Sequence, residues 1–177
     1  RFCAQGGESL ENFALWSALV FENGDIDLPQ RYASIGAPGV EQARQRLASE
    51  IEFWQWCQWI VFDQLIRAQE GARRLGMDMG IMSDLAVGAH SKGSEIWSMP
   101  DAFAPGMSVG APPDMYSQQG QNWAQPPWSP RSLARMGYAP LREMLRSVLS
   151  YAGAVRIDHI LGLFRLWWIP EGMGAQS

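Results

Sequence analysis

The chain has 177 residues, 47% of them hydrophobic and 18% charged, with a formal net charge of −4. That is enough apolar material for a sizeable core, while the dispersed arginines leave no basic footprint for nucleic acid. No apolar run approaches the roughly 18 residues that would span a bilayer, so neither nucleic acid nor a membrane is an expected partner.

Two cysteines, Cys3 and Cys57, do not make a disulfide framework. Cys57 falls in a helical pattern and Cys3 in an irregular one, so both read as free thiols, which fits a cytoplasmic protein. His90 and His159 lie far apart with no Cys or carboxylate at metal-ligand spacing, so no metal or other cofactor is expected. The chain opens at Arg1 and stops at "EGMGAQS" just after a dense apolar segment, which leads us to expect part of a larger molecule.

In chain order, "ESLENFALWSALVFENG" has the spacing of a helix, with Ser9 as its cap, Leu10, Phe13, Trp16 or Ser17, and Val20 along one face, and Gly24 as its stop. A second, longer helical pattern runs from about Val40 to Leu75, where Leu47, Ile51, Trp54, Val61, Leu65 and Ala68 recur at helical spacing. Arg73, Arg74 and Gly76 suit its C-terminus. "MGIMSDLAVGA" reads as a short buried strand. From 88 to 128 the periodicity disappears among prolines and glycines. The aromatics there, Trp97, Phe103, Tyr116, Trp123 and Trp128, argue for an ordered loop of unusual length. Ser129-Pro130 opens a helical turn, and "PLREMLRSVLSYAG" reads as a helix with Leu141, Met144, Leu145, Val148 and Tyr151 on its apolar face. "AVRIDHI" follows as a second strand. Helix, strand, long loop, helix, strand is the alternation of an α/β protein with a parallel sheet.

Alternation along the second strand sets Arg156 and Asp158 on one face, opposite Val155 and Ile157. In a parallel barrel functional groups gather at the C-terminal strand ends. Asp158 and His159 lie at that end of the second strand, and Asp84 at the matching end of the first. The residues themselves leave two readings open: a buried Arg156–Asp158 ion pair without chemistry, or the supports of a reactive carboxylate.

Three stretches in order, "GIMSDLAVG", "VGAPPDMYSQQGQNWAQPPW" and "VRIDHILGLFRLWWIP", resemble the 4-α-glucanotransferases of glycoside hydrolase family 77, the amylomaltases and plant disproportionating enzymes. The resemblance runs along essentially the whole chain and corresponds to the middle of such an enzyme. It implies part of a (β/α)8 TIM barrel with a helical insertion and a long active-site loop. Residues 1–76 would be the helical segment, and 77–177 two barrel strands with the connecting loop and helix. By resemblance Asp158 is the nucleophile and Asp84 orients the site and its arginine. Arg156 would hold Asp158 ionised, since a nearby positive charge favours a carboxylate, and His159 would donate to the sugar. The loop segment matches the family pattern at Pro113, Asp114, Gln121 and Trp123, with Ala124 in place of the usual glycine.

Asp114 and Gln121 would then bond sugar hydroxyls, and Trp123 or Tyr116 would stack on a ring, unless they merely anchor a polar loop. Core packing is the expectation for Trp54, Trp56, Trp59, Trp167 and Trp168, and Lys92, Glu95 and Asp101 read as solvated charges. The family's acid/base glutamate and stabilising aspartate would fall beyond Ser177, so this chain alone is expected to be inactive. The implied reaction moves a 1,4-α-glucan segment from a maltodextrin donor to glucose or another glucan. The rival reading is a noncatalytic glucan-binding or scaffold protein derived from the same fold.

Overall fold

The computed structural model describes residues 1–176. They form two compact units, Arg1–Asp78 with Lys92–Pro100, and Met79–Ser91 with the described residues from Asp101 onward.

The first unit is helical. In α1 (Phe2–Asn23) the residues Ala14, Leu15, Ala18 and Leu19 are at most 1% exposed, the pairing of neighbours one turn apart that lines one face of a helix. They pack with Val40 and Ala43 of α2 (Val40–Arg46), with Leu47 and Ile51 at the start of α3 (Ala48–Arg74), and with Trp97 of α4 (Ser94–Ser98). The Trp97 indole N–H donates to the Tyr32 carbonyl at 2.7 Å, so this large side chain is buried with its polar atom satisfied. Gly24 ends α1 at φ 72, where its N–H donates to the Val20 carbonyl. Ion pairs tie α2 to α1: Arg44 to Glu11, and Arg46 to Glu22, with Arg46 Nη2 donating to Glu22 Oε2 at 2.7 Å.

Five expectations for this unit are corrected. Ser9 lies inside α1 rather than capping it, because the helix continues back to Phe2 across a kink at Gly7 (φ 53), and Cys3 is therefore helical. The pattern over 40–75 is two helices, broken at Leu47, whose φ of −99 and ψ of 25 leave the helical range while its side chain stays in the core. Lys92 is paired with Asp27 rather than simply solvated. Trp56 and Trp59 are 52% and 42% exposed, so core packing does not account for them, whereas Trp54 lies against the core and meets Phe21 edge-on at 6.3 Å. The reason is geometric. A helix buries one stripe, and α3 uses the Ile51–Trp54 side for it.

The second unit is mixed α/β. β1 (Met82–Leu85) and β4 (Ala154–Ile157) pair in parallel, with Asp84 opposite Arg156. α6 (Ala139–Leu149) packs on both strands. Leu141, Met144, Leu145 and Val148, which the spacing singled out, are among its less exposed positions. α5 (Pro130–Arg135) starts at Ser129, whose Oγ accepts from the Ser132 N–H.

The stretch 88–128 is ordered as expected, but it is not a loop. Besides α4 it holds β2 (Met107–Ala111) and β3 (Gln121–Gln125), which join β5 (Trp167–Pro170) in an antiparallel sheet of order β3-β2-β5. Val109 and Ile169 are its buried apolar side chains, at 3% and 1% exposure. Gly110 permits the close approach of β3, since a Cβ there would come 1.9 Å from the Gln121 carbonyl oxygen. Trp167 and Trp168 on β5 are 39% and 37% exposed and do not fill a core; the Trp167 indole N–H instead donates to the Ala175 carbonyl.

Candidate active site

The second unit brings three of the expected polar residues together. β1 and β4 run in the same direction and in register, so Asp84 and Arg156 face each other near the C-terminal ends of adjacent strands. Arg156 Nη1 donates to Asp84 Oδ1 at 3.0 Å, and Nη2 donates to Asp158 Oδ1 at 2.7 Å. One planar guanidinium therefore spans two carboxylates, a fork that arginine supplies and lysine does not. The hydrogen bond it donates to Asp84, and then the charges of Asp158 and Asp84, raise the guanidinium's pKa further above its already high range. Its charge is permanent. In this chain the side chains of Arg156, Asp158 and Asp84 are 55%, 52% and 69% exposed, so the pair is not buried among these residues.

β4 ends at Ile157, and His159 takes the left-handed conformation, φ 48 and ψ 55, before a single 3-10 turn over Ile160–Leu163. A non-glycine residue there is held by its surroundings. Trp123 meets the His159 ring edge-on, with centroids 5.2 Å apart and planes at 89°. Trp123, His159 and Asp158 line a cavity of about 420 Å³ together with Val87 and Gln125.

How Trp123 reaches that cavity follows from a register shift. Val109 pairs with Gln125 and the next residue, Gly110, with Asn122, so β3 carries Trp123 and Ala124 as extra residues. A bulge of this kind re-aims a side chain. Ala124 has φ 55, and its N–H donates to Asn122 Oδ1 at 2.8 Å, while the Ser108 hydroxyl donates to the same oxygen at 2.9 Å. The Trp123 indole N–H donates to Gln121 Oε1 at 3.0 Å.

The remaining expected residues stand elsewhere. Gln121 is exposed and outside the cavity lining, bonded to Trp123. Pro113, Asp114 and Tyr116 are exposed on the turn between β2 and β3 and do not line the cavity; Tyr116 is 91% exposed. Asp114 Oδ1 accepts from the Tyr116 and Ser117 N–H groups at 2.8 and 2.6 Å, an Asx turn that shapes its own loop. The sequence reading missed Asn122, which holds the bulge, and Val87 and Gln125, which line the cavity. Gln125 stands two residues beyond Trp123, and that proximity was the available signal. Among the described residues no three His, Cys, Asp or Glu side chains converge as metal ligands would.

A forked arginine fixing two carboxylates beside an aromatic-walled cavity is an arrangement suited to sugars, whose hydroxyls need hydrogen bonds and whose ring faces need a flat apolar partner. A family model described as 4-alpha-glucanotransferase, glycoside hydrolase family 77, matches residues 1–177, and the chain belongs to that family. A 4-alpha-glucanotransferase of Mycobacterium tuberculosis is 46% identical over 173 residues, covering 97% of this chain and 24% of that protein. One from Haemophilus influenzae is 44% identical over 71% of this chain and 18% of its own length. Among solved structures, amylomaltase from Corynebacterium glutamicum superposes with a TM-score of 0.80 at 42% identity, over 97% of this chain and 23% of that one. Amylomaltase from Streptococcus agalactiae in complex with acarbose gives 0.85 at 22% identity over 97% and 36%, a likeness of fold alone. The chain spans about a quarter of the length of the curated relatives it matches. No helix among the described residues is long and apolar enough to cross a membrane.

Proposed function

We propose that this chain is the central part of a 4-α-glucanotransferase and carries its nucleophile, Asp158. The observation that carries the reading is the Arg156 fork, which holds Asp158 beside the cavity lined by Trp123 and His159. The parallel β1–β4 pair with α6 across it would be two adjacent strands of a (β/α)8 barrel, whose reactive groups sit at the C-terminal strand ends.

The reaction is a retaining double displacement. The Asp158 carboxylate attacks the anomeric carbon of a donor 1,4-α-glucan, the glycosidic C–O bond breaks, and an acid protonates the departing oxygen. The 4-hydroxyl of glucose or another glucan then attacks the same carbon, gives its proton to that group, and releases Asp158. Such an acid belongs about 5–5.5 Å from the nucleophile. Among the described residues the cavity lining holds no second carboxylate, so the reading takes the acid from elsewhere in the enzyme, and the 177 residues alone would not turn over. Arg156 neutralises the carboxylates without taking part in proton transfer. His159 and Trp123 offer the sugar a hydrogen bond and an apolar face. Asp114, Pro113, Tyr116 and Gln121 would lie over the donor-acceptor groove. The free thiols Cys3 and Cys57 support the cytoplasm as its compartment.

A fluorinated maltodextrin donor, which slows the second displacement, tests the assignment in the full-length enzyme. Peptide mapping should find the label on Asp158. A label on another residue overturns it.

A further inference from the structure

We propose that Trp123 is a positioning residue for His159, and that the two meet the glucan as one unit beside Asp158. The inference rests on the reading of their cavity as a glucan site. Along an extended chain Asp158 and His159 would point to opposite sides. Both nevertheless line the same cavity, because β4 ends at Ile157 and His159 turns to φ 48. That rotation carries the His159 side chain round to the side of its neighbour. An L residue adopts this conformation at a cost, and keeps it where its surroundings dictate it. Two contacts do so here. The His159 carbonyl accepts from the Gly162 N–H at 2.8 Å, which fixes the backbone. The Trp123 ring stands 5.2 Å from the imidazole, centroid to centroid, with the planes at 89°. Aromatic rings favour that geometry, and it fixes the side chain.

Trp123 can hold the imidazole because it is itself held. Its indole N–H donates to Gln121 Oε1 at 3.0 Å, and the Ala124 N–H, next along the bulge, donates to Asn122 Oδ1 at 2.8 Å. The indole is rigid and has only two torsions to fix. An imidazole free to turn would offer its N–H in many directions. Pinned against the indole it offers it in one, so less ordering remains when a sugar hydroxyl binds. The contribution of Trp123 to binding therefore passes largely through His159.

The test is a double-mutant cycle in the full-length enzyme, with maltotriose as donor and glucose as acceptor. His159→Ala and Trp123→Ala should each raise donor KM about tenfold with kcat within about threefold, the scale of one ordered hydrogen bond. On the His159→Ala background, Trp123→Ala should cost less than about threefold more, because the group it positions is gone. A ring that only stacked on the sugar, or only propped its loop, would cost about tenfold on both backgrounds. Trp123→Phe keeps a ring against the imidazole and should stay within about threefold of the parent, whereas Trp123→Leu should behave as Trp123→Ala does. Trp123→Leu also replaces the alanine variant in the cycle if that one does not fold, and His159→Gly, which suits φ 48, replaces His159→Ala. Three results overturn the proposal: a further loss above about threefold on the His159→Ala background, a parent-like KM for either single variant, or Trp123→Phe no better than Trp123→Leu. Failure of the parent reading is distinct: the unsubstituted enzyme would then carry no label on Asp158.

Discussion

Arg156 Nη1 donates to Asp84 Oδ1 at 3.0 Å across a strand pair in which these two residues are register partners. Backbone pairing brings their Cα atoms level, and the hydrogen bond then fixes the guanidinium at one end. The other end is left to grip Asp158 at 2.7 Å. Asp84 therefore acts on Asp158 through Arg156. On the proposed reading it is a positioning residue, and its influence should appear in turnover rather than in binding.

Asp84→Asn should lower kcat roughly 100-fold while leaving donor KM within a few-fold, because misplaced charge near the reacting carbon costs the transition state more than the ground state. Arg156→Lys should not rescue activity, since an ammonium cannot hold two carboxylates in one plane. Asp158→Asn should lose on the order of 10,000-fold or more, as removal of a nucleophile does. Steady-state kinetics on the full-length variants check all three. A change in KM alone for Asp84→Asn would mean that Asp84 touches the sugar itself.

Trp123 and Gln121 should separate in the same assay. Trp123→Ala removes the ring that meets His159 and lines the cavity, and should raise donor KM about tenfold, the scale of one aromatic contact. Gln121→Ala only frees the indole N–H bonded to its Oε1, so its effect should be a few-fold at most. Equal losses for the two would place Gln121 in direct contact with the glucan.

The paired strands, α6 and the Arg156–Asp158 cluster were legible because each has a strong local signature: a short apolar run, a helical stripe, and charges two residues apart at a strand end. The β3-β2-β5 sheet was not. Its strands are short, β2 carries Gly110 for a close approach, and β3 is interrupted by its bulge, so period-two alternation never accumulates. The bulge also explains why the site was only partly legible. Trp123 was expected to serve the sugar, but the register shift that aims it into the cavity is encoded by no spacing rule. The tryptophans of α3 misled for a different reason. Composition counts apolar residues but does not say which of them share the single stripe that the helix buries.

Acid should weaken the helical unit through Glu22. The hydrogen bond from Arg46 holds the Glu22 carboxyl below its ordinary pKa of 4.5. A depressed carboxylate stabilises the folded state above its unfolded pKa, and that contribution fades as pH falls through the folded one. Both side chains are nearly half exposed, so the effect is small. Arg46→Met should lower the melting temperature slightly at pH 7, and the difference should shrink below about pH 4.5 and vanish once Glu22 is protonated in both states. Thermal melts of the two proteins across that range measure it. A gap that stays constant down to pH 2 would assign the loss to packing of the arginine stem instead.

Ala124→Gly should stabilise the protein. Ala124 sits at φ 55 in the bulge, with its N–H committed to Asn122 Oδ1, so the conformation is set by the register shift and not by the residue. An L side chain in the left-handed region costs about 1–2 kcal/mol. Glycine removes that cost but gains freedom in the unfolded chain worth about 0.5–1 kcal/mol. The net gain should be about 0.5–1 kcal/mol, read from urea unfolding as a higher midpoint at unchanged slope. Because the bulge aims Trp123 whichever residue occupies 124, kcat and donor KM should stay within about twofold of the parent. Asn122→Ala tests the same geometry from the other side. It removes the acceptor shared by Ala124 and Ser108, so it should destabilise by about 1 kcal/mol and raise donor KM as Trp123 loses its setting. If Ala124→Gly instead destabilises, the strain at φ 55 is not what alanine contributes there, and the bulge does not govern the aim of Trp123.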